Sequence, residues 1–76
     1  MEKIYEILTN LRPEFDFRNS SNFIDDGLLD SFDVISIVTD IEEKFGVLID
    51  ALDILPENFI SVSTIADVIR KNGGNI

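Results

Sequence analysis

Ser31-Phe32-Asp33-Val34-Ile35-Ser36-Ile37-Val38-Thr39-Asp40-Ile41-Glu42-Glu43-Lys44-Phe45-Gly46 is the stretch whose periodicity decides the fold class. Val34, Val38, Ile41 and Phe45 recur at the three- and four-residue spacing of a buried helical stripe, with Ile37 beside them. Asp30 is suited to cap the helix, Asp33 adds negative charge to its first turn, and Gly46 is a natural stop. At about 100° per residue, Phe32, Ser36, Thr39 and Glu43 fall opposite the stripe, with Ile35 and Glu42 at its edge.

Toward the N-terminus, Ile4, Ile7, Leu8 and Leu11 share one helical face, and Pro13 ends that helix near Leu11 or Arg12. From Glu14 to Asp30 the periodicity disappears. Arg18-Asn19-Ser20-Ser21-Asn22 and Asp25-Asp26-Gly27 are turn-forming. Phe15, Phe17, Phe23, Ile24, Leu28 and Leu29 are expected to pin this loop over the helices. A loop this long within a small domain is usually functional.

Toward the C-terminus, Asp50 to Ile60 reads as a connector containing a short helix, with Pro56 at its first position and Glu57 in its first turn. Ser63 is expected to cap a last helix that buries Ile65, Val68 and Ile69, places Arg70-Lys71 near its negative end and stops at Gly73-Gly74. No strand-like alternation persists. The expected fold is all-α, a small four-helix bundle of three main helices plus a short third one. It occupies residues 1–76 as a single domain, with a flexible tail from about residue 73.

The chain has 76 residues, 15 acidic and 6 basic side chains and a net charge of −9, with neither His nor Cys nor Trp. Typical stability for this length is about 4–11 kcal/mol, and no disulfide or Cys/His metal site can supplement it. The charge argues against nucleic acid and anionic membranes and favours partners with basic patches. No secretory signal or span-length apolar run is visible, so a soluble cytoplasmic protein, monomeric and without membrane insertion, is expected.

The composition also disfavours catalysis. A serine hydrolase lacks its His, and Ser31 lacks a Lys three residues on. A bundle this small offers no cleft for a carboxylate pair to work in. The calcium reading of Asp25-Asp26-Gly27 fails because Ile24 would occupy a ligand position. What remains is Ser31, where a long loop meets the best helix. A phosphoryl group on its hydroxyl would lie near the free N–H groups of the first turn. A simple capping role for Ser31 stands beside that reading.

Gly27-Leu28-Leu29-Asp30-Ser31-Phe32, followed by Val34 through Gly46 and then Pro56 to Ile69, resembles the acyl and peptidyl carrier proteins over nearly the whole chain. The resemblance implies a carrier rather than an enzyme. A covalent 4′-phosphopantetheine would be attached to the Ser31 hydroxyl from coenzyme A by a separate magnesium-dependent phosphopantetheinyl transferase. Its terminal thiol would hold an acyl or aminoacyl group as a thioester, giving thiol chemistry to a chain without Cys. Asp30 would assist transferase docking and metal placement, besides capping the helix.

Phe32 is expected to contact partners, with folding back onto the loop as the other reading. Ile35, Ser36 and Thr39 extend that face, and Asp33, Asp40, Glu42 and Glu43 form an acidic rim for steering toward Arg/Lys patches. Without the resemblance those charges are a solvated helix face. Phe32, Ser36, Lys44 and the long connector from Phe45 to Ile65 depart from fatty-acid carriers, and the Asp30-Ser31-Phe32 run and the connector look more like D-alanyl carrier proteins, similar to freestanding carriers loaded by AMP-forming ligases. A fatty-acid or polyketide carrier, and an unmodified acidic helical interaction module, are the alternatives.

Overall fold

The computed structural model describes residues 2–76, which form α1 (Glu2–Leu11), α2 (Ser31–Phe45) and α3 (Val62–Lys71). Short 3₁₀ turns occupy Phe17–Asn19, Ala51–Asp53 and Pro56–Phe59, and no strand occurs among the described residues. The radius of gyration, 11.1 Å, matches the value of about 11 Å expected of one globule this size.

Each α-helix follows from local chemistry. In α1, Ile4, Ile7 and Leu8 are buried on one face, and the Arg12 N–H makes the last helical bond to the Leu8 carbonyl before Pro13. In α2 the buried stripe is Val34, Ile37, Val38 and Ile41. Gly46 then takes the left-handed conformation, φ +66°, and its N–H donates to the Glu42 carbonyl.

The start of α3 differs from expectation. Ser61, not Ser63, is the cap: its hydroxyl accepts from the Thr64 N–H at 3.1 Å, while Thr64 Oγ1 accepts from the Ser61 N–H at 3.2 Å. Ser61 has the extended backbone that a cap requires, whereas Ser63 is exposed within the first turn. At the other end, the Gly73 and Gly74 N–H groups bond back to the Arg70 and Ile69 carbonyls, with Gly73 at φ +89°. Ile76, half-buried, packs against the core.

The short element at Pro56–Phe59 is a 3₁₀ turn, which leaves three α-helices rather than the four expected. Only five residues separate the extended Leu55 from the extended cap Ser61, too few to propagate an α-helix. The turn still contributes to packing, because Phe59 is fully buried and the turn lies against α3 and α2. α1 in turn packs on both α2 and α3.

The loop between α1 and α2 is pinned as its apolar residues imply. Phe17, Phe23 and Leu29 are buried, and Phe15, Ile24 and Leu28 pack against the core. Phe17 and Phe23 meet edge-to-face at 5.2 Å. The Phe23 N–H donates to the Ile60 carbonyl at 2.7 Å, and the Phe23 carbonyl accepts from the N–H groups of Leu28 and Leu29. Phe23 is therefore the knot that ties the loop both to itself and to the entrance of α3.

The connector between α2 and α3 is held by polar side chains. The Ile49 N–H donates to Glu42 Oε2 at 3.0 Å and the Asp50 N–H to Asn72 Oδ1 at 3.0 Å. Asp53, buried, accepts from Lys71 Nζ at 2.6 Å and from Asn72 Nδ2 at 3.1 Å. The bond from Lys71, and after it that from Asn72, holds the Asp53 carboxyl below its ordinary value of 3.8, and the bond to Asp53 pushes the Lys71 ammonium above 10.5.

Folding thus favours the charged form of both groups. Their contribution is complete between about pH 3.8 and 10.5 and is lost as acid protonates Asp53 or base neutralises Lys71 in the folded state. Thermal melts of Asp53→Asn should show a lower midpoint than wild type at pH 7 and a smaller further drop on acidification below pH ~3.8. An unchanged acid limb in the variant would remove Asp53 from the acid response.

Candidate functional site

The candidate site is the junction where the loop ending in Gly27-Leu28-Leu29-Asp30 enters α2. Asn22 shapes the preceding turn, its Oδ1 accepting from the N–H groups of Ile24 and Asp25. Gly27, at φ +76°, supplies the left-handed residue that reverses the chain. Asp25 and Asp26 are exposed, and Asp26 accepts from the Ser20 hydroxyl at 2.6 Å. Leu29 then plugs into the core, leaving Asp30 and Ser31 outside.

Two aspartates close the helix end reciprocally. Asp30 Oδ1 accepts from the Asp33 N–H at 3.0 Å, and Asp33 Oδ2 accepts from the Asp30 N–H at 3.1 Å. This is a capping box built with Asp where Glu is usual. The shorter side chain points Asp33 inward, where it is 5% exposed. Arg12, from the end of α1, meets it with Nη2 3.0 and 3.2 Å from its two oxygens. The bonds and charge of Asp33 push the Arg12 guanidinium above its usual range. Arg12 Nε is buried without a hydrogen-bond partner, so the contact with Asp33 is made through one nitrogen.

Asp33 therefore does not belong to the acidic rim expected from the sequence. Its carboxylate is consumed by Arg12 and by the Asp30 backbone, and it faces the protein. Glu42 does not stand free in that rim either. It is half-buried and its carboxylate holds the Ile49 N–H, so it fastens the connector instead of standing free. Glu43 is exposed and Asp40 half-buried, leaving a thinner rim than expected.

Ser31 occupies the first helical position and is exposed; among the described residues no hydrogen bond engages its hydroxyl. Capping falls to Asp30, so the purely structural reading of Ser31 as the cap does not hold. Phe32 is 85% exposed and Ile35 57% exposed, which excludes the folding of Phe32 back onto the loop. Ser36 and Thr39 continue the exposed face, with the Thr39 hydroxyl donating to the Ile35 carbonyl at 3.2 Å. Ser31, Phe32 and Ile35 thus stand together on one turn of a helix whose entrance is held rigidly from beneath.

Sequence reading missed Arg12 at the junction and, away from it, three exposed leucines on the connector. Arg12 carries no local mark of its role, since its partner lies 21 positions away. Leu48, Leu52 and Leu55 are exposed on the connector, at 82%, 82% and 43%. That segment has no periodicity from which inward and outward positions could be told apart.

The ion pair under the junction yields a direct comparison. Arg12→Gln leaves the buried Asp33 carboxylate without its cation, whereas Arg70→Gln removes only an exposed pair with Asp67. Arg12→Gln should lower the thermal midpoint clearly more than Arg70→Gln, and it should speed amide hydrogen exchange at Asp30 and Asp33 selectively. Equal midpoints with unchanged exchange at those amides would show that the pair does not hold the junction.

Comparison of the chain with protein-family models, with curated proteins and with solved structures found no match.

Proposed function

We propose that this chain is a carrier protein that works in the cytoplasm, where coenzyme A and ATP are at hand. The observation that carries the reading is the Ser31 hydroxyl, exposed and, among the described residues, unbonded at the first position of α2, within Asp30-Ser31-Phe32. A transferase needs a protein hydroxyl it can reach, on a backbone that does not shift as it binds. Leu29 buried behind the junction and the Arg12–Asp33–Asp30 linkage beneath it meet the second need.

The residues fit a 4′-phosphopantetheine arm. Its phosphodiester would sit at a helix entrance, where unpaired N–H groups favour negative charge. The inward carboxylate of Asp33 is already matched by Arg12, while Asp30 remains at the surface to meet a transferase and its magnesium. In forming the bond, Ser31 Oγ would displace 3′,5′-ADP from the β-phosphorus of coenzyme A and give its proton to a base of the transferase. Once attached, the arm supplies a thiol that holds an acyl or aminoacyl group as a thioester. The chain itself tethers, and tethering raises the cargo's effective concentration at a partner's active site.

Loading by an AMP-forming ligase is the preferred route, with D-alanine or another small acid as cargo. A fatty-acid or polyketide role is the alternative within the same class. A second reading, an unmodified acidic docking module, is favoured by the exposure of Phe32 and Ile35, which need no modification to act. Downstream enzymes with basic patches suit either reading, given the charge of −9.

Mass spectrometry after incubation with coenzyme A, magnesium and a broad-specificity phosphopantetheinyl transferase should show one added arm on wild type and none on Ser31→Ala. No addition to folded wild type, or equal addition to Ser31→Ala, would sink the carrier reading. A ligase assay with ATP and candidate acids then separates D-alanine from other cargo, and elongation by fatty-acid synthase enzymes would favour the alternative.

Phe32 carries a separate expectation. Phe32→Ala should leave the melting midpoint unaltered, because the ring contributes little to the core. It should lower kcat/KM for transferase or ligase by on the order of tenfold if the ring is a contact hot spot. Unchanged rates with both enzymes would exclude that role.

A further inference from the structure

Among the described residues, five large hydrophobic side chains are exposed, and three of them, Leu48, Leu52 and Leu55, fall within eight residues of the connector. Single exposed leucines are ordinary; three within one short segment concentrate exposed apolar surface, which is what interaction sites use. This segment is also among the best fastened parts of the surface. Glu42 holds the Ile49 N–H, Asn72 holds the Asp50 N–H, and Asp53 is gripped by Lys71 and Asn72. Asn58 Nδ2 adds a bond to the Asp53 carbonyl at 2.9 Å. Ile49 and Asp53 are buried between the exposed leucines, so the backbone is anchored while the leucines are held outward. Such preorganisation lowers the ordering cost of binding.

Charge identifies the occupant. Five of the six cations are paired: Arg12 with Asp33, Arg18 with Glu2, Lys44 with Glu6, Arg70 with Asp67 and Lys71 with Asp53. The sixth, Lys3, lies over the Phe45 ring. The uncompensated surface charge is therefore acidic, and it includes the exposed Asp50 and Glu57 that flank the leucines. A second copy of the chain, at −9, or an anionic bilayer would be repelled.

We propose that Leu48, Leu52 and Leu55, on the connector between α2 and α3, form a docking site for a protein partner that offers an apolar hollow rimmed by Lys and Arg. The site acts whether or not Ser31 is modified. Leucines enter the hollow, and Asp50 and Glu57 meet its basic rim.

The test is photo-crosslinking in the native host with p-benzoylphenylalanine at position 52, and at exposed Ser63 as control, in wild-type and Ser31→Ala backgrounds. One protein, identified by mass spectrometry, should crosslink from position 52 and not from 63, in both backgrounds. The purified partner should bind Leu48→Ser/Leu52→Ser at least tenfold more weakly than wild type, with circular dichroism melting unchanged. Binding should weaken as salt rises and when the partner's rim Lys and Arg are reversed to Glu. A Leu52→Met variant, which keeps the apolar volume, should bind within about twofold of wild type. No crosslink, a crosslink only to a second copy or to lipid, equal binding by the double variant, or indifference to salt and charge reversal would each overturn the proposal. Loss of the crosslink in Ser31→Ala alone would overturn its independence of the Ser31 face, whereas failure of Ser31 modification would leave the crosslink intact.

Discussion

The contact between Arg12 and Asp33 joins the end of α1 to the beginning of α2, and the geometry of the loop-to-helix junction at Ser31 depends on it. A carboxylate that is 5% exposed is costly unless a cation and hydrogen-bond donors meet it. Here the donors are Arg12 and the Asp30 N–H. The same carboxylate that neutralises Arg12 also completes the cap, so helix packing and helix termination share one group. Ser31 inherits its position from that sharing: it follows a backbone that cannot shift without breaking both.

Phe23 and Asp53 do for the two long connections what Asp33 does for the junction. Phe23 fills the core beneath the first connection and ties its backbone to Ile60. Asp53 draws the second connection onto the end of α3 through Lys71 and Asn72. Neither connection is slack, and each leaves selected side chains outward: Ser31 and Phe32 beyond the first, the connector leucines on the second. With cations spent on internal pairing, the exposed apolar groups are set in an acidic field.

What could be read in advance was local. The α2 stripe, the Asp30 cap, the Gly46 stop and the Pro13 break are decided within a few residues of themselves, and each stands where the pattern puts it, save that Phe45 at the end of the stripe is only half-buried. Ser61 and Ser63 show where local reading fails. Both precede the α3 stripe, and the Glu or Gln that would mark a capping box three residues on is replaced by Thr64 beyond Ser61. The Pro56–Phe59 segment has helix-start chemistry but too little chain to complete more than a 3₁₀ turn.

The amino-acid order by itself determined an all-helical chain, a surplus of negative charge, and a serine at the head of the most regular helix, because periodicity, charge and capping act over a turn or two. Only the tertiary structure decided which acids are free. Asp33 and Glu42 share a helix with Glu43, yet Arg12, 21 residues before Asp33, and the Ile49 N–H claim the first two, while Glu43 stays in solvent. It also decided that Leu48, Leu52 and Leu55 face outward while Ile49 and Asp53 face inward. Side chains of equal hydrophobicity or equal charge are sorted by which distant groups reach them, and that information exists only once the helices have packed.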